Sequence, residues 1–246
     1  MALKATNSDQ RRLLTLQDVD TRIVRLQAKA KALPQTKRID ELDALLATLD
    51  RAVLERLGAH DDASAEVARI ESDVQTVEAR LARDRERLLV VKDAKTATAT
   101  EHEIETLERR RSTLEDLELE AMQVQEDAAA ALAAARAEVA QAREERDRLA
   151  AERAEVAAGL ERELAEARAE RADRVKAVPA DLLALYDRQR ERYGIGATLL
   201  QHRTSAASGV ELNASEMHQI RQAAPDDVIL DPNSSAILVR TEESGL

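Results

Sequence analysis

Apolar residues recur at alternating steps of three and four along most of this chain, and that spacing leaves few folds open. It runs from Leu16 through Val19, Ile23, Leu26, Ala30 and Leu33. It resumes at Ile39, Leu42, Leu46, Leu49 and Val53, and is cleanest through Val67, Ile70, Val74, Val77 and Leu81. Such steps place one side chain per turn on a single helix face, the seam of a coiled coil. Asp84 interrupts the rhythm before Leu88 and Val91 continue it. A helix striped on one face must bury that face against something. Composition points the same way: charged residues make up 35%, aromatics 1%, and there are 6 Gly, 4 Pro and neither Phe nor Trp. So few aromatics cannot fill an ordinary globular core, whereas a chain rich in Ala, Glu, Leu and Arg suits long helices.

The breakers divide the pattern. Ser8 and Asp9 can cap a first helix. Pro34 breaks or kinks the seam, because proline lacks a backbone donor and clashes with the preceding turn. The segment VVKDAKTATATEHEIETLERRR reads as a turn near 92–99, with a new helix opening at Thr100, whose spacing to Glu103 is that of a capping box. The second seam then runs through Ile104, Leu107, Leu114, Leu117, Ala121 and Val124, crosses an Ala-rich stretch, and continues through Val139, Leu149, Val156, Leu160 and Leu164. The arms, roughly 80 and 75 residues, would each be about 110–125 Å long at ~1.5 Å per residue. Matched arms around one turn predict an antiparallel coiled-coil hairpin over residues 1–178. The alternative is a parallel homodimer without the fold-back.

From Val178-Pro179 the texture changes. ADLLALYDRQRERY predicts a short helix, with Pro179 at its first position and Gly194 as its stop. Ala197 to Arg203 and Val210 to Leu212 are strand-like. Asn213 and Glu216 have capping-box spacing and open a helix to about Ala223. Two strands, Val228–Leu230 and Ala236–Arg240, flank the turn DPNSS. Residues 179–246 thus read as a small α+β domain. Its expected core draws on Leu199, Leu200, Val210, Leu212, Met217, Ile220, Val228, Leu230, Ile237 and Val239, with Tyr186 and Tyr193 supplying bulk.

Several stretches resemble a known family: LPADLLALYDRQRERYGIGATLL, VELNASEMHQIRQAAPDDVI, AILVRTEESGL and the tip segment VKDAKTATATEHEIETLERRR. The chain is similar over nearly its whole length to the bacterial C4-type zinc-ribbon proteins, built as a long helical hairpin with a ribbon at its base. In that family each ribbon turn is a Cys-x-x-Cys knuckle, and four thiolates hold one Zn²⁺ tetrahedrally. On this chain the first knuckle falls on Ser205-Ala-Ala-Ser208 and the second on Asp231-Pro-Asn-Ser234. The resemblance therefore implies that all four ligand positions, Ser205, Ser208, Asp231 and Ser234, have lost sulfur. A serine hydroxyl is a poor substitute for thiolate, and one carboxylate does not make a structural site. The expected fold is mainly α, a long antiparallel coiled-coil hairpin followed by a zinc-ribbon-like α+β domain lacking metal. A site rebuilt from Asp231, His202 and His218 is the alternative.

Charge and motif content narrow the function. A net charge of −11 argues against a general phosphate-binding surface, though not against local basic patches. With no cysteine, thiol chemistry is excluded. MALKATNSDQRRLL lacks a signal peptide's apolar stretch, and no apolar run reaches the ~20 residues of a membrane span, so the expectation is a cytoplasmic protein without membrane association. Neither a Gly-x-Ser-x-Gly elbow nor a Gly-rich phosphate loop appears. No enzyme activity and no cofactor are expected. Two groups of cations could contact partners: Lys92, Lys95, Arg109, Arg110 and Arg111 around the hairpin turn, and Arg188, Arg190, Arg192, His202 and Arg203 at the base. The leading expectation is an adaptor with a protein partner, acting as monomer or homodimer. The second is a nucleic-acid-binding protein using those patches, against which the lack of aromatics for base stacking counts.

Overall fold

A computed structural model describes residues 3–246. The chain divides into two compact units, one formed by Gln35–Ala151 and the other by the chain up to Pro34 together with Glu152 onward. Three long helices supply most of both: α1 (Asn7–Lys31), α2 (Pro34–Val90) and α3 (Ala94–Val175). The helix ends follow local chemistry. Thr6 caps α1 by accepting the amide of Asp9 at 3.1 Å. Proline at the start of α2 forfeits a donor that the first turn of a helix leaves unpaired anyway, which puts the expected break at Ala32 and Leu33.

The turn between α2 and α3 is tighter than the sequence suggests. It occupies 91–93, and α3 begins at Ala94, not at Thr100. The reason is Asp93, which acts as the cap: its carboxylate accepts the Thr96 amide at 2.9 Å and the Thr96 hydroxyl at 2.6 Å. The Thr96 hydroxyl, and then its amide, hold the Asp93 carboxyl below its usual pKa. The threonines that look like helix breakers are accommodated by back-bonding, Thr98 Oγ1 to Ala94 O at 3.1 Å and Thr100 Oγ1 to Thr96 O at 2.9 Å.

In the unit Gln35–Ala151, α2 and the first part of α3 form an antiparallel hairpin. Rising numbers on α2 meet falling numbers on α3: Arg38 pairs with Glu145, Asp50 with Arg143, Ser64 with Gln125, and Arg85 with Glu108. Exposed ion pairs contribute only ~0–1 kcal/mol each, so they specify register more than stability. Stability comes from the seam, where Ile39, Leu42, Val67, Ile70, Leu81, Leu107, Leu114, Leu132 and Val139 are buried. The α3 seam departs from the expected phase. Leu117 is 42% exposed and Val124 60%, while Ala121, Gln125 and Ala128 are half-buried between Leu114 and Leu132. Leu114 and Leu132 lie about five turns apart at ~3.6 residues per turn and so share one face. The stripe keeps steps of three and four, but it leaves Leu114 by a step of four to Glu118 and runs on through Ala121, Gln125 and Ala128 to Leu132, so a count that goes from Leu114 to Leu117 is one residue out at every second position.

The other unit packs α1 and the last part of α3 with α4 (Ala180–Tyr193), α5 (Ala214–Gln222) and a three-stranded sheet. Its strands are β1 (Ala197–Gln201), β2 (Thr204–Ser205) and β3 (Ile237–Val239), in the order β2-β1-β3. β1 runs parallel to β3, with Ala197 opposite Ile237, and antiparallel to β2, with Leu200 opposite Ser205. The β1–β2 link is His202-Arg203, both at positive φ (49° and 68°), the primed two-residue turn that matches strand twist. Val228–Leu230 is no full strand; it joins through a bridge from Leu230 to Ile237.

Alternation on β3 serves two cores. Ile237 and Val239 face Leu13, Leu16, Val178, Leu182, Tyr186 and Ala197. Leu238 faces Leu200, Leu212, Met217 and Ile220. Of the expected core residues, Val210 and Leu230 are exposed, and so is Tyr193, whose ring lies 5.3 Å below the Arg192 guanidinium. The other caps form as read: Gly194 ends α4 at φ 84°, and Asn213 with Glu216 makes the capping box of α5. Pro179 lies one residue earlier than expected, as the cap of α4. Gly196 is required for a different reason. A Cβ there would lie 2.5 Å from the Tyr186 ring and 2.8 Å from its carbonyl oxygen.

Candidate functional site

The two turns singled out in the sequence meet around one carboxylate. Asp231 is 1% exposed and Ser205 is fully buried. Asp231 Oδ2 accepts the Ser205 hydroxyl at 2.7 Å, the Ser234 hydroxyl, and the Ser234 amide at 3.3 Å. Oδ1 accepts the Asn233 amide at 3.2 Å. Three of the four positions are thus brought together by hydrogen bonds to a buried anion. Ser208 stands apart, its hydroxyl accepting the Val210 amide at 3.3 Å. His202 and His218 are both exposed, and among the described residues no group of three His, Cys, Asp or Glu is arranged to hold a metal ion.

The same unit holds buried and half-buried polar residues that the sequence reading missed. On α1, Gln17 Oε1 accepts the amides of Gly196 at 2.8 Å and Ala197 at 3.3 Å, fixing the α4–β1 link. Asp20, almost wholly buried, accepts Arg171 Nε at 2.7 Å and the Tyr186 hydroxyl at 2.8 Å. Burial, and then the bond to Asp20, push the Tyr186 phenol far above its usual pKa. Arg240 is 7% exposed and donates to the carbonyls of Ala223, Ala224, Pro225 and Asp227 at 2.7–3.2 Å, closing the end of α5. The available signal was faint: Gln17 and Asp20 directly follow the seam residues Leu16 and Val19.

The cations divide. Lys92 and Lys95 lie exposed at the hairpin turn. Beside them Leu89 is 86% and Val90 74% exposed, an apolar pair at the end of α2 that the sequence reading did not single out. Arg109, Arg110 and Arg111 are not part of the turn. Arg110 is about 24 Å along α3 from Ala94 at ~1.5 Å per residue. Arg109 is engaged with the Glu105 carbonyl at 3.3 Å and Arg111 with Glu115 at 3.2 Å. In the sheet-bearing unit, Arg188 and Arg192 are exposed on α4, and Arg203 lies 3.5 Å from Glu211. Arg190 points inward instead, its Nε 3.5 Å from Asp20.

Paired long helices followed by a small sheet define the class, a helical-hairpin protein with an appended α+β region. The sequence profile of the CT398-like coiled coil hairpin domain matches residues 16–194, and the chain belongs to that family. The uncharacterized protein Rv2229c of Mycobacterium tuberculosis is 33% identical over 249 residues, spanning 98% of both chains. A solved structure from Mycobacterium smegmatis matches with a TM-score of 0.81 at 34% identity, over 97% of this chain and all of the other. CT398 from Chlamydia trachomatis has a TM-score of 0.59 at 16% identity, over 94% of this chain and 97% of its own; it shows the shared fold. Among the described residues no helix is long and apolar enough to cross a membrane.

Proposed function

We propose that this protein is a non-enzymatic adaptor of the cytoplasm, whose hairpin turn docks a protein partner. The observation that carries the reading is the Leu89–Val90 pair, left in water at the end of a helix whose other large aliphatic residues mostly line a seam. Exposed apolar pairs rimmed by charge are a recurrent feature of docking surfaces. Lys92 and Lys95 supply the rim. The nucleic-acid reading has less support, because the five cations expected around the turn divide between the turn end and a stretch of α3 about 24 Å further on, where two of the three arginines are already engaged.

The second element of the proposal is that the C-terminal sheet is a zinc ribbon that has exchanged its metal for a hydrogen-bonded carboxylate. Two turns meeting at Ser205, Asp231 and Ser234 support it.

A photo-crosslinking side chain placed at Leu89 of the full chain, against the same group at exposed Glu55, tests the docking reading in nuclease-treated lysate. The expected result is a discrete protein adduct from position 89, absent from position 55 and removed by Lys92→Glu with Lys95→Glu. Equal adduct patterns from the two positions, or adducts that disappear with nuclease, would overturn it.

A further inference from the structure

A cavity of about 700 Å³ opens between α1, the end of α4 and β1, independent of the hairpin turn. Its size falls within the ~300–1,000 Å³ of small-molecule sites. One wall carries Arg190, whose Nε is buried and has no hydrogen-bond partner among the described residues. The nearest carboxylate oxygens lie at 3.5 Å on Asp20 and 3.7 Å on Asp187, too long for a good hydrogen bond. Asp20 already accepts Arg171 at one oxygen and the Tyr186 hydroxyl at the other. A buried donor left unpaired is costly, so a ligand that brings its own acceptor recovers that cost on binding. Arg25 on α1 lines the same space. The rest of the lining is mixed: Leu14, Leu199 and a Val24 that is 57% exposed supply apolar surface beside the polar Gln17, Thr21 and Thr198.

We propose that this cavity binds a small aliphatic carboxylate, its head paired with Arg190 and its chain laid against Leu14, Val24 and Leu199. A planar carboxylate matches the guanidinium fork. A monoanion fits better than a phosphate dianion, because Asp18 and Asp20 also border the space and would repel the second charge.

The test is an amide-resolved NMR titration of the full chain with octanoate, with octanol (no charge) and acetate (no chain) as matched probes. Saturable shifts at Leu199 and its neighbours on β1 are expected with octanoate, with octanol and acetate at least tenfold weaker. Arg190→Gln should weaken octanoate at least tenfold; it gives up the long ion pairs to Asp20 and Asp187, so retained β1 amide shifts in the unliganded variant serve as the check that the unit still folds. Val24→Glu, at an exposed position, gives a second reading by placing a carboxylate in the cavity, and should abolish binding. Octanol binding as tightly as octanoate, octanoate shifts confined to other surfaces, or undiminished octanoate binding by Val24→Glu would each overturn the proposal.

Discussion

The helical hairpin of Gln35–Ala151 and the sheet-bearing unit hold themselves together in different ways. The hairpin spreads its stability along a seam of separate buried aliphatic residues with half-buried ones between them. Nothing in it is unique, and exposed ion pairs add little. The sheet-bearing unit depends instead on single residues with many partners: Asp231 joins two turns, Arg240 closes a helix end, and Tyr186 packs against Gly196 while bonding Asp20. A repetitive element tolerates substitution locally, whereas a small sheet with two short cores has no redundancy. The difference can be tested because the chain has only two tyrosines and no Trp or Phe. Both tyrosines lie in the sheet-bearing unit, so near-UV circular dichroism reports that unit while far-UV dichroism reports mostly helix.

The largest effect should come from placing cysteine at the four turn positions. A variant carrying Ser205→Cys, Ser208→Cys, Asp231→Cys and Ser234→Cys together should bind one Zn²⁺ and raise the near-UV melting transition well above that of the parent. Structural zinc supplies roughly 10–16 kcal/mol of apparent binding energy in small fingers, far more than a hydrogen-bonded carboxylate does. The far-UV transition of the hairpin should shift much less. A variant that folds but takes up no stoichiometric zinc would show that the two turns are not ribbon knuckles, and the carboxylate exchange would fall with them.

Arg240→Leu should come next. It leaves the carbonyls at the end of α5 without their donor, and buried unsatisfied groups cost ~1–3 kcal/mol each, though not additively. A loss on the order of 3 kcal/mol should appear first in the near-UV signal under denaturant, with most helical signal retained. Simultaneous loss of both signals would show that the two units unfold as one and that the contrast drawn between them is only local.

How much of this was legible beforehand follows the same division. The seam, the Pro34 break, Gly194 and the Asn213–Glu216 box could be read from spacing, because each depends on neighbours within about one helical turn. The Asp93 cap was missed because three threonines outweighed one aspartate in a propensity reading, while the fold satisfies those threonines with i−4 carbonyls. Arg240 left no signal in the sequence, and Asp20 and Gln17 only their place directly after seam residues. Their partners lie far along the chain, and a charged residue at a strand end or beside a seam normally faces solvent. The cluster at Ser205, Asp231 and Ser234 was located through family resemblance, but its hydrogen bonding was not foreseen. The same limit applied to Arg109–Arg111, since adjacency in sequence to a turn is not adjacency in space once a helix has begun.

The smallest effect distinguishes most sharply between the two ways of reading α3. A count that steps by three from Leu114 puts Leu117 and Val124 in the seam, whereas the structure leaves Val124 60% exposed and steps by four from Leu114, through Glu118 and Gln125, to buried Leu132. Val124→Ala should therefore change the far-UV unfolding midpoint by an amount equivalent to no more than ~0.5 kcal/mol, as exposed positions do. Leu114→Ala, by the same measurement, should cost on the order of 2–4 kcal/mol through lost burial and the cavity left behind. The ratio of the two is informative even if both values are compressed by local fraying. A Val124 as costly as Leu114 would mean that this face is covered in solution. Dilution would then separate the causes: a cost that fades at low concentration belongs to a second copy of the chain, and one that persists belongs to a hairpin wound in the phase that the spacing first suggests.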